Sequence, residues 1–412
     1  MKTLLDLAQT AERGKFDAFF LADGVAISTP SLAHALPFGS LEPLVLLAAI
    51  SQVTERIGLI GSASTTFSQP YTLARQLATL DHVSGGRAGW NLVTSSAGAE
   101  NYGDAALPNH SDRYRRAAEF ADVVTRLVES WAPDSVIVDR ESGRFADPDK
   151  VRAIDHVGEF YRVQGPLNVP RPPQGRPVLV QAGSSAEGQA VGARYADAIF
   201  TAQSDSGPAQ EFYASIRRQA SAAGRNPDHV LILPGLVPIV GDTEADALRI
   251  QRDLRGLVDD DYGRTVLSGQ LDGVDLTGLD LDAPIPASIL PAADEVQGRR
   301  SRYEIYYDLT VNRGETLRQL IDRELSANGH WQLVGTAEQV ADAIEQRFLQ
   351  RGADGFNVIP PYSPRGFEIF VDQVIPLLQD RGLFRRDYEE TTLRGHLGLP
   401  EVPGLRVPRS YS

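Results

Sequence analysis

The chain has no cysteine among its 412 residues. That excludes disulfides, thiolate nucleophiles and cysteine metal sites. It also lacks an excess of positive charge, with 40 Lys and Arg against 54 Asp and Glu and a formal net charge of −14. Nucleic-acid backbones and anionic membrane surfaces select basic faces, so neither is expected as a partner, although a local basic pocket for one phosphate is compatible with this balance. No apolar run is long enough to span a bilayer. The opening Met1-Lys2-Thr3-Leu4-Leu5-Asp6 turns polar too soon for a signal peptide, so a cytoplasmic location is expected. The seven histidines show neither His-x-His nor His-Glu-x-x-His spacing, which argues against a catalytic metal. There is no nucleophile elbow, no P-loop and no dinucleotide-binding glycine fingerprint. Nor is there an internal repeat or a low-complexity tract.

What is present is an ordinary globular composition, 42% hydrophobic and 23% charged, arranged as alternating strands and helices. Helical spacing of Leu4, Leu7, Ala8 and Ala11 ends at Gly14 and is followed by an apolar strand over Asp17 to Asp23. The alternation continues with a helix over Leu41 to Thr54, a strand over Ile57 to Thr65, a helix over Pro70 to His82, a strand over Arg87 to Ser95 and a helix over Asp112 to Trp131. It lapses in a polar, proline-rich segment over about 132–176, read as a β-hairpin excursion. It resumes with a strand over Pro177 to Gly183, a helix over Ser184 to Tyr195, a strand over Ala198 to Gln203, a helix over Pro208 to Ala222, a strand over Leu231 to Val240 and a helix from Thr243. After a long insertion over about 259–332, a helix over Thr336 to Arg351, a strand over Gly355 to Pro361 and a helix over Phe367 to Gln379 complete the pattern. Short, nearly continuous apolar strands separated by helices predict a parallel sheet covered by helices. Seven strands are counted where a (β/α)8 barrel needs eight, and the one expected to be lacking is the first.

The most informative stretch is Leu80-Asp81-His82-Val83-Ser84-Gly85-Gly86-Arg87-Ala88-Gly89-Trp90-Asn91-Leu92-Val93-Thr94-Ser95. A helix ends, a Gly-Gly turn follows, and a strand then finishes in small polar residues. In parallel α/β folds, ligands sit at such strand tips. Four further places carry candidate chemistry. Asp23 ends the first strand, where a loop-bracing role reads equally well. Ser62, Ser64, Thr65 and Thr66 crowd the end of the second, where turn chemistry is the alternative. His110 and Tyr114, four residues apart, share one face of a helix start, although a surface histidine beside a packed tyrosine fits the spacing too. Gly183-Ser184-Ser185 joins a strand to a helix, where free amides and the helix dipole suit a phosphate. Plain N-capping is the other reading of that junction. His330, ahead of the final strand–helix unit, reads first as a structural histidine.

The sixteen-residue stretch resembles, nearly residue for residue, the signature of the bacterial-luciferase-like flavin monooxygenases, in the branch with nitrilotriacetate monooxygenase component A and the dibenzothiophene-sulfone monooxygenases. The tail Leu383 to Pro400 is similar as well. The resemblance covers about Leu4 to Pro400. It implies one luciferase-like TIM-barrel domain over 1–412, with insertions at about 132–176 and 259–332 and a C-terminal tail at 383–412. Members usually carry an additional upstream strand, which makes this chain look short at its N-terminus. The implied activity is that of an oxygenase component, oxidising a small organic substrate with O2 and reduced FMN delivered by diffusion from a separate NAD(P)H:flavin reductase. A coenzyme-F420-dependent oxidoreductase of the same superfamily and an inactive flavin-binding protein are the alternatives. Carried over position by position, the resemblance places Asp23 beside the isoalloxazine ring and Thr65, His110 and Tyr114 on the flavin. It places Asn91 at the flavin or substrate edge, and Ser95 where some relatives have histidine. Ser184 and Ser185 fall on the FMN phosphate, and His330 faces the substrate. Asn91 and His330 are the catalytic candidates, and a homo-oligomer is expected.

Overall fold

The computed structural model describes residues 2–27, 29, 32, 41–103, 106–183, 185–292, 295–296 and 300–404. Eight parallel strands form one sheet: β1 (Ala18–Leu21), β2 (Gly58–Ser64), β3 (Ala88–Val93), β4 (Val178–Ala182), β5 (Ala198–Thr201), β6 (Leu231–Val240), β7 (Trp331–Gly335) and β8 (Asn357–Val358). Strands β1 to β6 are neighbours in sequence order, and each is followed by helix, as right-handed crossovers require. The helices that position the site are α1 (Lys2–Arg13), α2 (Pro43–Ile50), α3 (Pro70–Ser84), α4 (His110–Val128), α5 (Ala186–Tyr195) and α6 (Ser206–Ala222).

All seven strands read from the sequence are present. The eighth, β7, was missed because it lies at the end of the supposed insertion. It pairs with the C-terminal half of β6, Leu236 opposite Trp331 through Val240 opposite Gly335, while β8 pairs with Gly235 and Leu236 of the same strand. The extra strand therefore stands beside β6 and not between β1 and β8. Among the described residues, β1 is bonded to β2 alone and β8 to β6 alone. The expected hairpin excursion is two short antiparallel hairpins, Val136–Asp139 with Arg144–Ala146 and His156–Val157 with Arg162–Val163. Helix α7 (Glu244–Arg255) is the one read from Thr243, and the insertion folds into α8 (Asp260–Gln270), α9 (Arg300–Tyr307) and α10 (Leu317–Ala327). Of these, α8 to α10 share an apolar cluster of their own around Leu267, Tyr303, Tyr306 and Ile321.

Side chains alternate across the sheet with the strand period of two. Leu59, Ala63, Trp90, Leu92 and Leu179 join the helix-side core with Leu77, Phe120 and Leu127. Ile60, Val180, Phe20, Phe200 and Leu233 belong to a second cluster inside the sheet's curve, which Leu393 of the C-terminal segment also enters. The N-terminal ends of the strands are held by buried polar groups, among which Arg87 has every guanidinium donor matched. Gly85 and Gly86 take φ of 69° and 92°, conformations open to glycine, and so turn α3 into β3. Arg87 then uses its guanidinium donors on Ser84 O (2.7 Å), Thr54 Oγ1 (3.0 Å), Ile57 O (2.8 Å), Ser51 O (3.0 Å) and Thr54 O (2.9 Å). Asp81 accepts from the Ala88 amide at 3.0 Å and from Gln174 Nε2 at 2.5 Å. Its burial raises the carboxyl pKa to about 6. Buried Asp197 accepts from Leu179 N at 3.0 Å and from Arg394 Nη1 at 3.1 Å, and these partners hold its pKa low against the penalty of burial.

Candidate functional site

The opposite, C-terminal ends of the strands gather most of the candidate residues. In β3 the alternation sends Trp90 and Leu92 to the helices and Asn91 to the inner face, in register with Ser62 of β2. Asn91 is 4% exposed. Its Nδ2 donates to Ser62 Oγ at 2.8 Å, while Oδ1 is buried with no partner among the described residues. Such an orphan acceptor costs about 1–3 kcal/mol, a cost that any donor brought to it would recover.

One turn further, Ser64 and Ser95 share a hydrogen bond at 2.7 Å, and Ser64 Oγ also accepts the amides of Thr66 and Phe67. Ser95 is thus a brace between the tips of β2 and β3, with its carbonyl taken by Arg113 Nη1 of α4 at 3.3 Å. The Thr65 hydroxyl donates to Val93 O at 3.2 Å. It is the neighbouring Thr66 whose buried Oγ1 has no partner among the described residues.

His110 and Tyr114 sit at the start of α4, which begins two residues earlier than the sequence pattern suggests. Asn109 caps it, accepting from Asp112 N at 2.9 Å. The two rings meet with centroids 4.8 Å apart, as i, i+4 spacing allows. His110 Nδ1 lies 3.9 Å from Glu187 Oε1 in the first turn of α5, so the starts of α4 and α5 are brought together. Burial lowers the His110 pKa, with Glu187 opposing. Ser185 is the N-cap of α5 and accepts from Gly188 N at 3.2 Å. The amides of the next two residues have no partner within the helix by its geometry and face the cap. Ser184 lies outside the described residues. Asp23 follows β1 and is half-buried. Burial first and Glu42 second raise its pKa, opposed by the Gly24 amide. Its loop is tied to the loop before α4 by Asn101 Nδ2, which donates to Val25 O at 2.9 Å.

His330 stands apart, on the β5–β6 side. Its ring stacks on Phe200 at 5.1 Å with 26° between planes, and Phe200 in turn meets Phe20 at 6.1 Å. Arg302 Nη2 donates to His330 Nε2 at 2.8 Å. Burial, then the Arg302 charge, push the imidazole down to about 3. The ring fits because position 235 is glycine; a Cβ there would lie 2.4 Å from Nδ1. Sequence reading singled out neither Arg302 nor Gly235. The second carried a signal, since glycine inside a strand marks close approach by another group.

Among the described residues no group of three or more His, Asp or Glu could hold a metal ion, and no helix is long and apolar enough to cross a membrane.

Comparison with known proteins converges on one family. A profile described as luciferase-like monooxygenase matches residues 1–355. N-acetyl-S-(2-succino)cysteine monooxygenase of Bacillus subtilis (strain 168) is 45% identical over 396 residues, covering 96% of this chain and 89% of that protein. Nitrilotriacetate monooxygenase component A of Aminobacter aminovorans is 43% identical over 406 residues, with the same 96% and 89% coverage. Among solved structures, a riboflavin lyase crystallised with a modified FMN and its substrate riboflavin superposes with a TM-score of 0.87 at 30% identity, covering 98% of this chain and 90% of that one. The chain belongs to the luciferase-like monooxygenase family.

Proposed function

We propose that the chain is the oxygenase component of a two-component FMN-dependent monooxygenase, oxidising a small organic substrate with O2 and reduced FMN from a separate NAD(P)H:flavin reductase. The observation that carries this reading is the pair of buried, unpartnered oxygens, Asn91 Oδ1 and Thr66 Oγ1, at strand tips beside the capped start of α5. A flavin ring edge offers both an N–H donor and carbonyl acceptors, which suit an amide oxygen and a hydroxyl respectively. The start of α5, with Ser185 and the neighbouring Ser184, suits the FMN phosphate. His110 and Tyr114 stand beside it. When bound, reduced FMN supplies the electrons with which O2 is activated.

The chain's own residues bind, orient and shield. Asn91 is held by Ser62 so that its free oxygen faces the inner side. Ser64 and Ser95 fix the spacing of the two strand tips that carry Asn91 and Thr66. Phe20 and Phe200 close the floor against water. Burial favours neutral His110, which at neutral pH can donate or accept but adds no positive charge. We extend the reading to a cytoplasmic homo-oligomer, the oligomer supported by the exposed apolar row Val136, Ile137, Val138 and Phe145 of the first hairpin; light scattering checks it.

The test uses the purified chain. It is expected to bind reduced FMN far more tightly than NADH, and to consume O2 only when a flavin reductase is added. Stoichiometric NADH oxidation by the chain with no reductase present would overturn the reading.

A further inference from the structure

The Arg302–His330 contact has a polarity that neither residue would have alone. A guanidinium has donors only and keeps its proton at every accessible pH. Nε2 of His330, 2.8 Å from Arg302 Nη2, is therefore the acceptor. The single proton of the neutral ring is then on Nδ1. Nδ1 is buried without a partner among the described residues, and it lies over the bare backbone of Gly235, where a Cβ would come within 2.4 Å. Stacking on Phe200 fixes the ring plane.

We propose that Arg302 is a positioning residue that locks His330 in the Nδ1–H tautomer, so that the ring meets the substrate as a neutral donor and the group seated against Nδ1 is an acceptor oxygen. The substrate part of this inference rests on the function proposed above; the tautomer does not. A carboxylate, sulfone or ether oxygen satisfies the orphan N–H. A substrate ammonium or any other donor meets it proton to proton. The ring holds no second proton to give, so it orients the substrate and does not protonate it.

Arg302 is well placed to act this way because its helix is anchored independently of the sheet. Tyr303 and Tyr306 on α9 are fully buried, and the Tyr306 hydroxyl donates to Glu324 of α10, whose other oxygen accepts from Gln270 Nε2 of α8 at 2.7 Å. The inserted helices therefore deliver one cation to the strand tips and hold it there. That gives the insertion a task in substrate selection.

The experiment is long-range proton–nitrogen correlation NMR on the full chain with labelled histidine and no added flavin, with His330 assigned by loss of its signals in His330→Gln. The expected result is a protonated Nδ1 and a bare Nε2, unchanged from pH 8 to pH 5. In Arg302→Met the pattern is expected to shift toward protonated Nε2, and Arg302→Lys, which also donates, restores the original. Circular dichroism confirms that each variant is folded. A wild-type ring protonated on Nε2, or an Arg302→Met protein that is folded and keeps the wild-type tautomer, overturns the proposal. The wild-type spectrum decides even where a variant does not fold. Oxygen uptake with a reductase tests the proposed function separately, so the two failures are distinguishable.

Discussion

Three buried polar residues at the N-terminal end of the sheet contrast with three at its C-terminal end. At the N-terminal end Arg87, Asp81 and Asp197 are buried with their partners in place. At the C-terminal end Asn91 Oδ1, Thr66 Oγ1 and His330 Nδ1 are buried and unpartnered among the described residues. Satisfied groups fix the scaffold, whereas an unsatisfied one leaves a hydrogen bond open to a further partner. The signature stretch straddles both ends, since Asp81 and Arg87 lie at the first while Asn91 and, just past the strand, Ser95 lie at the second.

The comparison is most directly broken by Asp197→Ala. It leaves Arg394 buried with its charge uncompensated, and such a loss typically costs about 3–5 kcal/mol. Denaturant unfolding is expected to show that loss, with FMN affinity in the surviving folded protein unchanged. An equal fall in affinity would mean the two ends are not separable.

Acid sharpens the contrast, because the two ends respond with opposite sign. Asp81, raised to about 6 in the folded chain, binds more protons folded than unfolded between about pH 4 and 6. Its contribution therefore gains as pH falls through that window. His330, lowered to about 3, binds more protons unfolded below its ordinary value near 6.5, so its contribution is lost on acidification. Each limiting slope is about 1.4 kcal/mol per pH unit. Stability curves of Asp81→Asn and His330→Gln are expected to diverge between pH 6 and 4, the first falling and the second rising relative to the parent. Parallel curves would remove the assignment.

A smaller effect is expected at the site itself. Asn91→Ala should weaken reduced FMN by about 10- to 100-fold, the worth of one or two hydrogen bonds, while the unfolding midpoint moves little because one unsatisfied oxygen leaves with the side chain. Fluorescence titration and a thermal melt read the two quantities on one sample. The smallest change is at the α5 cap. Ser185→Ala removes a cap worth about 1 kcal/mol and is expected to weaken FMN about tenfold more than riboflavin, which has no phosphate. Equal weakening of the two would place the phosphate elsewhere.

The strands were legible because each is a short apolar run between helices, and seven of the eight were read from that pattern. β7 was not, since Trp331–Gly335 follows directly on a helical module that hides where the alternation resumes. Asn91 was legible from its place at a strand tip. The scaffold role of Arg87 was not, because its acceptors lie 30 or more residues away in sequence at Ser51, Thr54 and Ile57. Thr65 and Thr66 are adjacent, and only the local hydrogen bonding shows which hydroxyl is left over. Arg302 reaches His330 across 28 residues from a helix whose sequence says nothing of its target. Contacts of that kind are products of the tertiary fold and have no local period to read.

The segment around residues 385–399 has a consequence for biosynthesis. Arg385 binds Asp17, 368 positions earlier; Tyr388 Oη donates to Phe16 O at 2.6 Å across 372 positions; and Leu393 N reaches Gly86 O at 3.1 Å. The residues that lead into β1 and β3 thus acquire these neighbours only after hundreds of further positions, 368 in the case of Asp17, have been added. Until then the apolar well that receives Leu393 stands open on a nascent chain growing at about 5–20 residues per second. At that rate the interval lasts about tens of seconds, and the arrival of residues 385–399 is what ends the exposure.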